Sequence, residues 1–178
     1  MVYYQDKELT IRNMVLSDAQ VFADEEVKQG WNSTPDKYEM RVRDQEEGRC
    51  TALTAVYQGN AAGYINVYLK SNEGPFCGKD WPVIVDFGVL EKYRNKGIGS
   101  KLMDVAEEIA AGLSDTVCLG VGLHNGYGSA QRMYVKRGYI PDGSGVWYHG
   151  KPCTPYDTVY TNDDDLVLFL SKPTVSRG

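Results

Sequence analysis

Apolar positions recur along the chain with two different periods, and the change of period marks out its elements. In the run GIGSKLMDVAEEIAAGL, Ile98, Leu102, Val105 and Ile109 fall on one helical face. The stretch GYINVYLK alternates instead, with Ile65, Val67 and Leu69 on one side and Tyr64, Asn66 and Tyr68 on the other, as a strand requires. Strands are also predicted at LTIRNM, TALTAVYQ, PVIVDFGVL and TVCLGVGL, and Gly59-Asn60 suits a tight hairpin turn. Two helices are predicted before the first hairpin: SDAQVFADEEVKQ, with Ser17 as N-cap, and TPDKYEMRVRDQEE, with Thr34 before Pro35. A short helix, GSAQRMYVKRG, ends at Gly138, where a glycine terminates helices well. GVWYHG and DLVLFLSK close the pattern as antiparallel strands. The expected fold is α/β (α+β): a mixed, mostly antiparallel sheet of six or seven strands with helices on both faces.

Composition narrows the picture. With 178 residues, 42% of them hydrophobic, and no repeat or Pro/Gly-rich linker, the chain reads as a single domain over residues 1–178. Its Cys50, Cys77, Cys118 and Cys153 form no C-x-x-C pair, and with only His124 and His149 beside them no metal site is expected, so they read as free thiols. The opening residues carry neither a basic start nor an apolar run, and no segment is long and apolar enough for a bilayer. A cytoplasmic protein without a membrane partner is therefore expected. A net charge of −5 argues against nucleic acid and suits a cationic partner. A homodimer stays open alongside a monomer.

Chemistry concentrates where the PVIVDFGVL strand gives way to the long helix. Arg94 and Lys96 stand beside Gly97 and Gly99 at that helix's mouth. The first N–H groups of a helix lack internal partners and carry partial positive charge, so an anion, best a phosphate, fits there. The P-loop pattern is absent, and the dinucleotide fingerprint fails at Leu102. What remains is R-x-x-G-x-G at 94–99.

This strand–loop–helix segment, IVDFGVLEKYRNKGIGSKLMDVAEE, resembles the central motif of the GNAT superfamily of N-acetyltransferases. A second family motif, roughly N-x-x-A-x-x-x-Y-x-x-x-G-F, is matched by Ala130, Tyr134, Gly138 and Tyr139. Asn125 departs from it, lying two residues too early. The resemblance implies acetyl-CoA as acyl donor, with its pyrophosphate on Arg94, Asn95, Lys96, Gly97, Ile98, Gly99 and Ser100. The pantetheine arm would lie along the strand at Gly88 and Val89, and Asn125 would be a further cofactor contact; Gly120 and Gly122, on one face of the next strand by its alternation, mark a groove or equally a bulge or close helix approach. It implies Asp86 as general base, the Val89 region as oxyanion donor and Tyr134 as the acid that meets the departing thiolate. His124 is an alternative base or a plain loop residue. The acceptor, a primary amine of a small molecule or peptide, would enter near Trp31 and the long link at 141–165. That link carries Trp147, Tyr156, Asp157, Tyr160 and Asp163 to Asp165; aromatic faces and carboxylates recognise cations, although the acid run is equally a solvated turn. A silent acyl-CoA-binding module, or a transferase of another acyl group, is the competing reading.

Overall fold

The computed structural model describes residues 1–156 and 158–174. Its residues group into two compact units, Met1–Tyr68 with Ile84–Ile109 and Leu69–Val83 with Ala110–Gly178. In the first unit the elements run β1 (Val2–Gln5), β2 (Leu9–Asn13), α1 (Leu16–Lys28), α2 (Asp36–Glu46), β3 (Cys50–Tyr57) and β4 (Asn60–Tyr68), followed by β5 (Val83–Val89) and α3 (Ile98–Ala111). Neighbouring strands follow in the order β1-β2-β3-β4-β5. The β3–β4 hairpin is antiparallel, pairing Cys50 with Tyr68 at one end and Tyr57 with Asn60 at the other. Its turn is Gln58-Gly59, with φ of 48° and 82°. The sequence expectation was therefore one residue late: Asn60 already pairs in the ladder, while Gly59 supplies the left-handed backbone.

Strand alternation puts helices on both faces of this unit. Tyr64 packs its ring against Phe22 of α1 and Tyr38 of α2, at centroid distances of 5.0 and 5.1 Å. Its neighbour Gly63 faces the other way, where an added Cβ would stand 3.2 Å from Leu102 of α3. Phe22, Tyr38, Ile11, Leu53, Ile65, Leu102 and Met103 are all fully buried. Each aromatic pair adds about 0.5–1.5 kcal/mol beyond the area it removes from water. The N-terminus of α1 is capped differently from the expectation. Val15, not Ser17, is the N-cap residue, and the Asp18 carboxylate reaches back to accept from the Val15 N–H at 2.9 Å.

The second unit holds β6 (Thr116–Gly122), α4 (Gly128–Lys136), β7 (Ile140–Tyr148), β8 (Lys151–Pro152) and β9 (Leu166–Pro173), ordered β6-β9-β7-β8. β6 and β9 are antiparallel from Thr116↔Pro173 to Gly122↔Val167. β7 slips register between Pro141 and Val146, where Gly143 and Gly145 take φ of 91° and 81°. Gly138 ends α4 at φ 91°, as expected of its position. The strands number nine among the described residues instead of six or seven; β1 and β8, both short and largely exposed, carry no clear alternation to predict them. No helix among these residues is long and apolar enough to cross a membrane.

Candidate functional site

The loop before α3 has the backbone of an anion cradle. Arg94 is extended, Asn95 is left-handed at φ 61° and Gly97 again at φ 76°, so the backbone changes hand through the loop, as anion-binding nests do. Among the described residues no backbone carbonyl accepts from the N–H groups of residues 95 to 100, whereas the next one, Lys101, bonds to the Gly97 carbonyl at 3.0 Å. Ile98 is buried and anchors the helix start, leaving Arg94, Asn95, Lys96, Gly97 and Ser100 exposed around it. Nothing crowds Gly97, so the glycine is required by its φ and not by space. Arg94 Nε donates to the Val89 carbonyl at 3.4 Å, and its guanidinium lies 6.0 Å from the ring of Trp31. Trp31, expected in the acceptor site, is thus placed beside the cradle.

β5 is irregular where the chemistry was expected. Asp86 takes a left-handed φ of 53°, a conformation aspartate tolerates better than most residues. The carbonyls of Val85 and Asp86 both accept from Asn66 Nδ2, at 3.4 and 3.3 Å, and Asn66 is fully buried. A side chain of β4 therefore serves the carbonyls on either side of this left-handed turn. The Asp86 carboxylate, 21% exposed, faces Lys37 Nζ at 3.4 Å and Arg41 Nε at 3.6 Å. Gly88 is glycine for a neighbour's sake: a Cβ there would meet the Tyr64 ring and hydroxyl at 2.7 Å. The Tyr64 hydroxyl in turn donates to Glu26 at 2.6 Å.

Glu26 is the buried acid that the sequence reading passed over. Burial pushes its carboxyl up, but Ser33, Tyr64, Tyr38 and Lys37 together bring it below the ordinary range. A signal was present: Asp18, Phe22 and Glu26 stand at i, i+4 and i+8, which places both acids on the buried face of α1.

In the second unit the predicted residues are occupied with their own neighbours. Tyr134 is buried beside Tyr139, ring centroids 5.8 Å apart, and burial, with the nearby Tyr127, pushes its phenol up to about 12. Asn125 is exposed at the start of a 3-10 turn. Three residues before Ala130 stands Tyr127, whose hydroxyl donates to Asp164 at 3.0 Å. Its ring occupies the space above Gly122, where a Cβ would come within 2.3 Å. Phe169 lies similarly over Gly120, at 3.2 Å, so close aromatic packing accounts for both glycines. His124 accepts from the Gly126 N–H through Nδ1 at 3.0 Å and presents Nε2 to Asp164 at 2.8 Å. Both ring nitrogens are committed, which suits a loop clamp better than a base.

The three aspartates of the long link are also partnered. Asp163 accepts from Tyr148 and from the Asp165 N–H, both at 3.0 Å, and Asp165 faces His149 at 3.3 Å. Trp147 is half-buried, holds Ser144 through its indole N–H at 2.8 Å and packs on Phe169. With Glu73, Cys77, His149 and Asp165 it lines an open cleft of about 560 Å³. Asp157 lies outside the described residues. All four cysteines are free.

Comparison with known proteins follows this geometry. The family model described as Acetyltransferase (GNAT) family matches residues 15–139. No curated protein sequence matches the chain. Among solved structures, RimL, the ribosomal L7/L12 alpha-N-protein acetyltransferase, in complex with coenzyme A, superposes with a TM-score of 0.72 at 10% identity, covering 99% of both chains. The ribosomal-protein-S18-alanine N-acetyltransferase from Escherichia coli gives 0.66 at 15% identity over 96% of each chain. The putative acetyltransferase yncA from Salmonella typhimurium, with its cofactor acetyl-CoA, gives 0.67 at 14% over 96% of each. At these identities the structures establish the shared fold.

Proposed function

Since the chain belongs to the GNAT acetyltransferase family, we propose that it transfers the acetyl group of acetyl-CoA to a primary amine by direct attack, with both substrates bound at once. The observation that carries this is the loop at 94–100: its alternating backbone hand and unpartnered N–H groups suit a pyrophosphate, with Arg94 and Lys96 adding charge. In this reading Gly88 and Val89 border the pantetheine arm and the acyl carbonyl. Asp86 takes the first proton from the acceptor's ammonium. The nitrogen lone pair then forms the C–N bond at the thioester carbonyl, and collapse of the tetrahedral adduct breaks the C–S bond. Tyr134 donates a hydrogen bond to the departing sulfur, which ends as a thiol on taking the nitrogen's second proton. The products are the amide and coenzyme A, with one proton released to solvent through Asp86.

Protein acceptors named for two structural neighbours make peptide α-amines one arm of the acceptor panel, beside small alkylamines. The test is thiol release from acetyl-CoA across that panel, coupled to calorimetry with Gly97→Val. Valine at φ 76° forces the loop out of shape, so acetyl-CoA binding should be lost while circular dichroism stays unchanged. Full affinity in the folded variant would remove the cradle assignment. The presence of Tyr127 three residues before Ala130, where the family pattern has asparagine, favours a second reading, an acyl-CoA-binding module without turnover. Tight acetyl-CoA binding with no thiol release for any amine would select it.

A further inference from the structure

The polar groups between α1, α2 and β5 enclose a cation that belongs to the chain itself. Lys37 Nζ lies 4.5 Å from the centroid of the Tyr38 ring and 5.1 Å from that of Tyr64, both within cation–π range. Two carboxylates flank it, Asp86 at 3.4 Å and Glu26 at 3.9 Å. An ammonium surrounded by aromatic faces and acids is what an amine-acylating enzyme must hold before it removes a proton.

The fit is loose in a way that a permanent structural ion pair would not be. The Lys37–Glu26 and Arg41–Asp86 separations, 3.9 and 3.6 Å, exceed hydrogen-bonding length. Among the described residues, buried Asp86 Oδ2 and Arg41 Nε are both without a hydrogen bond. The Tyr38 hydroxyl, on a fully buried side chain, interacts with Glu26 and Tyr64, although among the described residues neither contact has full hydrogen-bond geometry. The enclosed Asp86 oxygen and the Tyr38 hydroxyl are thus held by loose contacts, none of which Lys37 tightens. Lys37 itself is 37% exposed, so its stem has a way out to water that Glu26, 3% exposed, lacks.

We propose that Glu26, Tyr38, Tyr64 and Asp86 form a primary-ammonium site in which Lys37 is a displaceable resident, and that the acceptor is an unbranched alkylammonium, such as a lysine side chain or the end of a polyamine. This deepens the acetyl-transfer reading and rests on it for the identity of the reaction. The site delivers the ammonium to Asp86, the residue proposed to take its proton, whose Oδ1 lies 3.4 Å from the Lys37 ammonium. A methylene stem like that of Lys37 brings an ammonium within cation–π reach of both rings; a peptide α-ammonium brings its own backbone and a branched carbon, and a quaternary ammonium offers no N–H to the Asp86 and Glu26 oxygens.

The experiment separates binding from turnover. Lys37→Ala empties the site, and propylammonium chloride is the probe, with sodium and tetramethylammonium chlorides at equal ionic strength as controls. At about one hundred times its dissociation constant, propylammonium should raise the melting temperature of the variant by roughly 5–10 °C and leave the wild type unmoved. Adding Asp86→Asn to the variant should remove the response. If Lys37→Ala does not fold, Lys37→Gln, which keeps most of the stem, takes its place. In the transfer assay Lys37→Ala should lower the KM for propylamine at least tenfold without improving that for an α-amine peptide. No stabilisation by propylammonium, or an equal one by tetramethylammonium, overturns the site. Stabilisation without acetylation of any amine keeps the site and overturns the transfer reading.

Discussion

Replacing Tyr134 with phenylalanine tests the chemistry at one atom. The ring and its contact with Tyr139 at 5.8 Å are kept, so the fold should lose little. What changes is a hydroxyl that burial, aided by Tyr127, holds near a pKa of about 12. A coenzyme thiol has a pKa of about 8.5, so complete proton transfer from this phenol to the thiolate would be uphill by about 3.5 units, or about 5 kcal/mol. A hydrogen-bond donor, in place of a full proton donor, is therefore the role proposed for Tyr134. A hydrogen bond to a charged atom contributes about 1.5–3 kcal/mol, and its loss slows the chemical step roughly 10- to 150-fold.

Single-turnover acetylation with acetyl-CoA, measured from pH 7 to 10, reads this directly and avoids confusion with product release. The phenylalanine variant should be slower by the same factor throughout, because the phenol stays protonated across that range. Acetyl-CoA affinity should hold. The sign for stability is also fixed: a tyrosine whose folded pKa is raised contributes stability below pH ~10 that is lost as pH climbs toward 12. Wild-type rates in the variant, or an alkaline fall with a midpoint below pH 10 that the substitution abolishes, would refute the argument.

Two further outcomes follow from packing and charge in the first unit. Gly88→Ala should cost about 2–4 kcal/mol, since its Cβ would meet Tyr64 at 2.7 Å and displace the hydroxyl from Glu26. Urea unfolding should show that cost shrinking when Tyr64→Leu is combined with it, and strict additivity would count against the clash. Asp18→Asn should cost about 3 kcal/mol by leaving Arg12, now held at 2.7 and 2.9 Å, without its counter-charge. Burial pushes the Asp18 carboxyl up, but Arg12, the Val15 N–H and Thr54 carry it below its ordinary value. Its contribution is therefore complete above about pH 4 and disappears as pH falls through the depressed value, so the asparagine variant should show a shallower acid unfolding limb.

What was legible in the sequence is what short-range periodicity writes. The α3 face, the β4 alternation up to Tyr68 and Gly138 were read correctly because each depends on residues a few positions apart, whereas Leu69, expected in the strand, lies beyond its end and is exposed. The capping of α1 was missed because Asp18 sits inside the helix and reaches back, while Ser17 only occupies a suggestive place. In sequence Gly88 reads as room for the pantetheine arm, and Gly120 and Gly122 read as a groove or, equally, as a bulge or close helix approach. In the fold each makes room for a ring, that of Tyr64, Phe169 and Tyr127 respectively, and those rings come from elsewhere in the chain.

The lysine cage was illegible for the same reason, and its construction shows how an irregular strand can be specified by scattered residues. Asp86 takes its left-handed turn inside a strand rich in β-branched residues, which local propensity alone would disfavour. The turn persists because Asn66, one strand away, holds the two carbonyls on either side of it. In the sequence Asn66 is only a polar interruption between Tyr64 and Tyr68 on one face of β4. In the structure the same face carries Tyr64 to Glu26 and Tyr68 to Arg41, by hydrogen bonds of 2.6 and 2.7 Å. Thus β4 sets both the backbone of Asp86 and the side chains that surround it. A polar residue interrupting a strand's alternation, with an acid in the next strand, is the sequence signal that such an irregular turn leaves behind.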